Sequence, residues 1–438
     1  MVIKIKKVLC LMNLDHKKTY ILLKSQFKKK LFEDINEYLT NDEVSNFLKI
    51  KVGTFRYWKS KGQIYDYKTN KKFTKSYIPL NYVYSLIKFL RSKGHKEYSV
   101  KSIEKNLIEF KSKGGKPIKN LKFPINLETK ESAILVAALL CDGGISENGY
   151  PLYNNSELYM RKRVVDVING FIGKIHTDSL KPNENNSIVL PKTIKDILII
   201  AFDMKIGDKV TNNPRIPELF VKTNNKGIIG AFLNQAFSDD GTAYISKKSN
   251  QGCIAYGASV DVSGLNNDLR KKVKEKNLNG YGTNLVNDCK LLLERLCIKV
   301  NGPYCKNEYI RNKYGKKEII HSWSIQIQGR KNIKKFKSLV GFSIPRKNSV
   351  VNNILNNYKE VDYRNSFENA LDIVKKLHER NELINTIVFM KYRKCTRDYA
   401  RYLLKWLKKE GMIKRCGGGL HKGGHLGYTP YEYKLMNK

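Results

Sequence analysis

Two apolar runs, each closed by Asp-Gly, limit the possible folds more than any other feature of this chain. The first, AILVAALLCDGG, spans Ala133–Gly144, and the second, IIGAFLNQAFSDDG, spans Ile228–Gly241. In the second, Ile229, Phe232, Leu233, Ala236 and Phe237 recur at helical spacing. A carboxylate at a helix C-terminus is opposed by the helix dipole, so each acid calls for positive charge beside it. Asp142 and Asp240 lie 98 residues apart, and the segments C-terminal to them run in parallel. Short strand-like pieces come first, then an amphipathic helix, further strand, another helix and finally RIPELF or SIPRKNS. The spacing predicts a tandem αββαββα unit of about a hundred residues.

A duplicated unit suggests a pseudo-twofold axis, which helices with small residues such as Ala137 and Ala138 can cross closely. Both acids then reach one spot. Two carboxylates in contact do not both stay ionised unless a cation lies between them. A hard divalent ion, Mg²⁺ or Mn²⁺, suits such oxygen ligands. The expected partition is residues 1–120, unit 1 at 121–225, unit 2 at 226–360, and residues 361–438. The segment KSKGGKPIKNLKFP before unit 1 reads as a solvated linker.

The chain carries 82 Lys+Arg against 40 Asp+Glu, a net charge of +42 over 438 residues. That excess points to a polyanionic partner, above all nucleic acid. The eight cysteines form no Cys-x-x-Cys pair, which argues against a disulfide framework or a structural zinc site. Reduced thiols fit a cytoplasmic protein. The longest apolar run is about half a membrane span, so no transmembrane helix and no membrane partner are expected.

LVAALLCDG (135–143) and LNQAFSDDG (233–241) resemble the signature of the LAGLIDADG, or dodecapeptide-type, homing endonucleases. RIPELF and GFSIPRK also look like parts of that family, so the resemblance covers roughly residues 122–358. It implies an α+β fold in which two αββαββα units form a pseudo-twofold saddle over double-stranded DNA. It also implies double-strand cleavage across the minor groove. By resemblance, Asp142 and Asp240 are the metal ligands, Arg215 and Lys347 are the basic residues near the scissile phosphates, and Lys209 in GDKVTNN is a third candidate. The implied enzyme is a monomer with internal pseudo-twofold symmetry, freestanding or intron-encoded.

This chain departs from the family pattern at Asn234 and Gln235, where small residues are expected. Each amide must hydrogen-bond across the interface or push the helices apart. The neighbouring Asp239 competes with Asp240 as ligand, and Asp240 is preferred because it directly precedes glycine. A DNA-binding regulator that does not cut, or an RNA maturase, are the alternative functions.

Both flanks look like further DNA-binding modules. LTNDEVSNFLKIKVGTFRYWKSKG (39–62) reads as helix-turn-helix, opened by a Thr40/Glu43 capping box. Val52, Phe55 and Trp58 face its core, and Arg56, Lys59 and Lys61 face DNA. KCTRDYARYLLKWLKKEGMIKR (394–415) reads as an amphipathic helix with Arg397, Arg401, Lys405 and Lys408 on one face. The glycine-rich segment after it, with His421 and His425, reads as the mobile wing of a winged helix.

Overall fold

The computed structural model describes residues 7–59, 64–66, 71–73, 77–175, 186–246, 251–276, 282–357, 366–419 and 429–436. The chain is a mixed α+β protein with several small antiparallel sheets.

Near the N-terminus, helices Asn41–Leu48 and Val52–Lys59 are separated by a short turn. Thr40 Oγ1 accepts from the Glu43 N–H at 3.3 Å, and the Thr40 N–H donates to Glu43 Oε2 at 2.7 Å. This reciprocal pair satisfies N–H groups that a helix start leaves open. Lys49 makes the turn in the left-handed region, at φ 55°. Phe55 and Trp58 are buried, Val52 is half-buried, and Arg56 and Lys59 are exposed. Lys61 lies outside the described residues.

The segment expected to be a solvated linker is instead paired. Ile118–Lys119 adds to strand Leu107–Ser112 and bridges to Lys174 of unit 1, with Ile118 fully buried. Val8–Leu9 pairs with Ile125–Asn126, and the Ser112 N–H donates to Thr193 Oγ1 at 2.8 Å. The first 120 residues and both central units therefore share one continuous hydrophobic core.

The central section repeats its element order. After helix Lys130–Leu140 come strands Gly143–Ile145 and Pro151–Asn154, helix Leu158–Phe171, strand Ser187–Val189 and helix Lys192–Phe202. After helix Lys226–Asp240 come strands Gly241–Ile245 and Gly252–Asp261, helix Asn284–Arg295, strands Asn301–Lys313 and Lys316–Gln328, and helix Arg330–Leu339. A further helix, Asn267–Lys276, lies between the two halves of the second set. In unit 1, Pro151–Asn154 pairs on one side with Gly143–Ile145 and on the other with Ser187–Val189. In unit 2, Gly252–Asp261 lies likewise between Gly241–Ile245 and Lys316–Gln328, and Asn301–Lys313 adds a fourth strand. Residues 176–185, between helix Leu158–Phe171 and strand Ser187–Val189, lie outside the described residues.

Residues from 366 onward have a separate core of Ala370, Val374, Leu377, Phe389, Leu403, Leu407 and their neighbours. Helix Ser366–Glu379, strand Ile384–Asn385, helices Thr386–Arg393 and Arg397–Lys409, and strands Ile413–Gly419 and Thr429–Leu435 succeed one another along the chain. The three strands form one sheet with Thr429–Leu435 in the middle. Lys405 and Lys408 are exposed, whereas Arg397 and Arg401 are half-buried. His421 and His425 lie outside the described residues. Among the described residues, no helix is long and apolar enough to cross a membrane.

Candidate active site

The two motif helices, Lys130–Leu140 and Lys226–Asp240, pack against each other. Each has a side-chain cap at its start. Thr129 Oγ1 accepts from the Ser132 N–H at 3.1 Å, and Asn225 Oδ1 accepts from the N–H groups of Gly227 at 2.9 Å and Ile228 at 3.3 Å. Ala133, Ala137, Ala138 and Ala236 are fully buried, as close helix approach requires. The glycine after each acid is fixed by space. A Cβ on Gly143 would lie 2.6 Å from the Leu152 carbonyl oxygen, and one on Gly241 would lie 2.5 Å from that of Phe237. Each strand therefore leaves its helix through a gap that admits no side chain.

The helix ends converge on three carboxylates. Asn155 Nδ2 donates to Asp142 Oδ2 at 2.8 Å and to Asp239 Oδ1 at 3.3 Å, bridging the two units. Asp239 also accepts from Tyr153 Oη at 2.8 Å and from Gln235 Nε2 at 2.9 Å. Asp240 lines a cleft of about 310 Å³ with Lys209, Cys141 and Ser259. Burial and then the charge of Asp142 push the Asp239 carboxyl up to about 8. Asp240 is raised to about 6 by loss of water around it, with Lys209 pulling down and Asp142 pushing up. Asp142 is also raised by burial, against the Asn155 hydrogen bond and the charges of Lys209 and Lys347.

The positive charge that the helix ends require comes from two lysines. Lys209 Nζ donates to the Cys141 carbonyl at the end of the first motif helix. Lys347 Nζ donates to the carbonyls of Ser238 at 2.6 Å, Asp239 at 3.2 Å and Phe237 at 3.3 Å, at the end of the second. The lysines occupy matching places, in Ile206-Gly-Asp-Lys209 and Ile344-Pro-Arg-Lys347, each shortly after the last helix of its repeat. Arg215, expected beside the acids, is elsewhere. It pairs with Asp288 of helix Asn284–Arg295 at 2.8 Å, in a different, open pocket. Arg215 is expected from the resemblance alone; Ile-x-x-Lys, shared by Ile206–Lys209 and Ile344–Lys347, is the repeat that identifies Lys209.

The two amides of the second motif helix, Asn234 and Gln235, leave the helices together. Asn234 turns away from the first motif helix, donating to the Val340 carbonyl at 2.9 Å and accepting from Arg163 at 2.9 Å and Ser343 at 2.7 Å. Gln235 is buried and directed at Tyr153 and Asp239. Tyr153 and Asn155 carry no signal of a site role in the sequence, because only the fold brings them to the acids.

Asp239 and Asp240 titrate at about 8 and about 6 in the folded protein. Unfolded aspartate titrates near 3.9. With folded values above the unfolded one, the native state binds extra protons from about pH 4 to about pH 8, so cation-free stability falls as pH rises through that window. A divalent cation that binds the ionised acids offsets the loss. The Tm gain from millimolar Mg²⁺ is therefore expected to reach several degrees near pH 8 and to shrink near pH 6. Equal gains at both pH values, read by thermal melts, would contradict this.

No protein-family model matches the chain. No curated protein matches it either.

Proposed function

We propose that the chain is a sequence-specific double-strand DNA endonuclease of homing type, built from a LAGLIDADG-like pair of units. The observation that carries this reading is the meeting of Asp142, Asp239 and Asp240 at the abutting ends of two repeated helices, each end held by a lysine. In this reading the two antiparallel sheets form a pseudo-twofold saddle on double-stranded DNA, and one chain supplies both halves. The net charge of +42 supports a polyanion as the partner. The helix pair with Arg56 and Lys59 acts as a helix-turn-helix. The C-terminal module, with Arg397, Arg401, Lys405 and Lys408 on its third helix, acts as a winged helix.

The donor set fits Mg²⁺ or Mn²⁺. It is all oxygen, and its acids are raised chiefly by burial, with the charge of Asp142 adding to Asp239 and Asp240, a cost that a dication among them would offset. Asp142 and Asp240 would hold the ion. When bound, it supplies Lewis-acid stabilisation at phosphoryl oxygens and makes water a competent nucleophile near neutral pH. Lys209 and Lys347 hold the backbone carbonyls of the helix ends and add positive charge where phosphate charge develops. Asn155 fixes the spacing of Asp142 and Asp239 across the units.

The test is a supercoiled plasmid carrying the host locus, expected to be linearised with Mg²⁺ and left intact with EDTA. Lys209→Met is expected to slow cutting about 10²-fold, and Arg215→Met to change it by less than about threefold. Binding with no cutting in Mg²⁺ or Mn²⁺ would refute the nuclease reading and leave a regulator. Tighter binding to intron RNA than to DNA would favour a maturase.

A further inference from the structure

The two helix-holding lysines are each preceded by a charged residue that pairs with the opposite unit. Before Lys347, Arg346 Nε lies 3.6 Å from Glu157, and the arginine side chain is 70% exposed. An exposed pair of that length contributes little. Before Lys209, Asp208 is only 19% exposed and accepts from Lys313 at 2.8 Å and from Arg311. Arg311 is shared with Glu318. These three residues of unit 2 lie at the far end of the hairpin Asn301–Lys313/Lys316–Gln328, so the second unit's longest strands close on the first unit at this point.

The local fold makes Lys209 dependent on that closure. It opens a helix of four residues, Lys209–Asn212, capped by Asp208 Oδ1 accepting from Val210 at 3.0 Å. One turn of helix does not hold itself. Lys347 sits on the twelve-residue helix Pro345–Asn356, which is anchored by buried Val351 and Ile354. Burial opposes a charge on Asp208, and hydrogen bonds from Lys313 and Arg311 overcome it, holding its carboxyl down at about 2. The ion pairs therefore persist throughout the neutral range.

We propose that Asp208, clamped by Arg311 and Lys313, is a positioning residue for Lys209, so that opening the clamp disables one half of the site and spares the other. The proposal rests on the nuclease reading above. It makes the halves unequal: one lysine is set by its own helix, the other by a salt-bridge contact from across the dyad.

Asp208→Asn separates the two roles of the residue, because asparagine caps a helix as well as aspartate but cannot draw in the two cations. Single-turnover cleavage of a duplex labelled on each strand, with Mg²⁺, reads the result. One strand is expected to slow by about 10- to 100-fold and the other by less than about twofold, with nicked product accumulating. DNA affinity is expected to hold or rise, since a negative charge is removed. Asp208→Glu is expected to restore part of the lost rate. Glu157→Gln, at the weak pair, is expected to leave both strands near the wild-type rate. Equal slowing of both strands by Asp208→Asn, or none, overturns the clamp alone. Wild-type protein that cuts neither strand overturns the nuclease reading and the clamp with it.

Discussion

Asp142→Asn and Asp240→Asn are each expected to lower cleavage by on the order of 10³-fold or more while DNA affinity stays within about threefold. Asparagine keeps the size of the side chain and one oxygen but loses the charge that holds a divalent ion. The basic surface is untouched, so binding and cutting separate. Asp239→Asn is the informative contrast. Its carboxyl is raised to about 8 and already accepts from Tyr153, Gln235 and Asn155. It is the least available of the three to a cation, and its loss is expected to cost no more than about tenfold. Quantitative nicking assays beside gel-shift titrations check both numbers. Full activity in either Asp142→Asn or Asp240→Asn would end the ligand assignment, and a larger loss in Asp239→Asn than in Asp240→Asn would exchange their roles.

Affinity for DNA is expected to fall by about 10³ to 10⁵ between roughly 50 and 200 mM salt. With on the order of ten phosphate contacts, the log-log slope is near −9. Residues 366–436 have their own core, so removing the chain from 361 onward is expected to leave the rest of the protein folded. Arg397, Arg401, Lys405 and Lys408 go with it, and the slope is expected to drop by up to about four. Fluorescence anisotropy titrations over a salt series measure it. A flat response in the intact protein would rule out double-stranded DNA as the main partner.

Much of the architecture could be read from pattern because the informative segments are long and strongly periodic. The motif helices, the amphipathic helix of the second unit at Asn284–Arg295 and the Thr40/Glu43 cap all lie where spacing indicates. Chemistry at a distance was harder to read. Asp239 looks like a redundant neighbour of Asp240, and only the approach of Tyr153 and Asn155 from unit 1 brings it to Asp142. Arg215 is expected beside the acids from the resemblance alone, but Asp288 carries the opposite charge and lies buried behind it, which draws the guanidinium away. Composition hides the stretch around Ile118: Ile118, Leu121 and Phe123 stand at uneven spacing among lysines and glycines, which gives no alternation, although Ile118 is fully buried and the other two pack on the core. Short strands are specified by the partner that receives them, and that partner lies far along the chain.

The pairing of Val8–Leu9 with Ile125–Asn126, and of Lys119 with Lys174, has a practical corollary for protein engineering. The amino-terminal third is a supporting wall of the first half rather than a detachable accessory. Cutting the gene at residue 120 would strip ladder partners from both sides of the break and uncover apolar surface. A minimal version of this protein has to keep its beginning, whereas the tail, with a core of its own, can be exchanged.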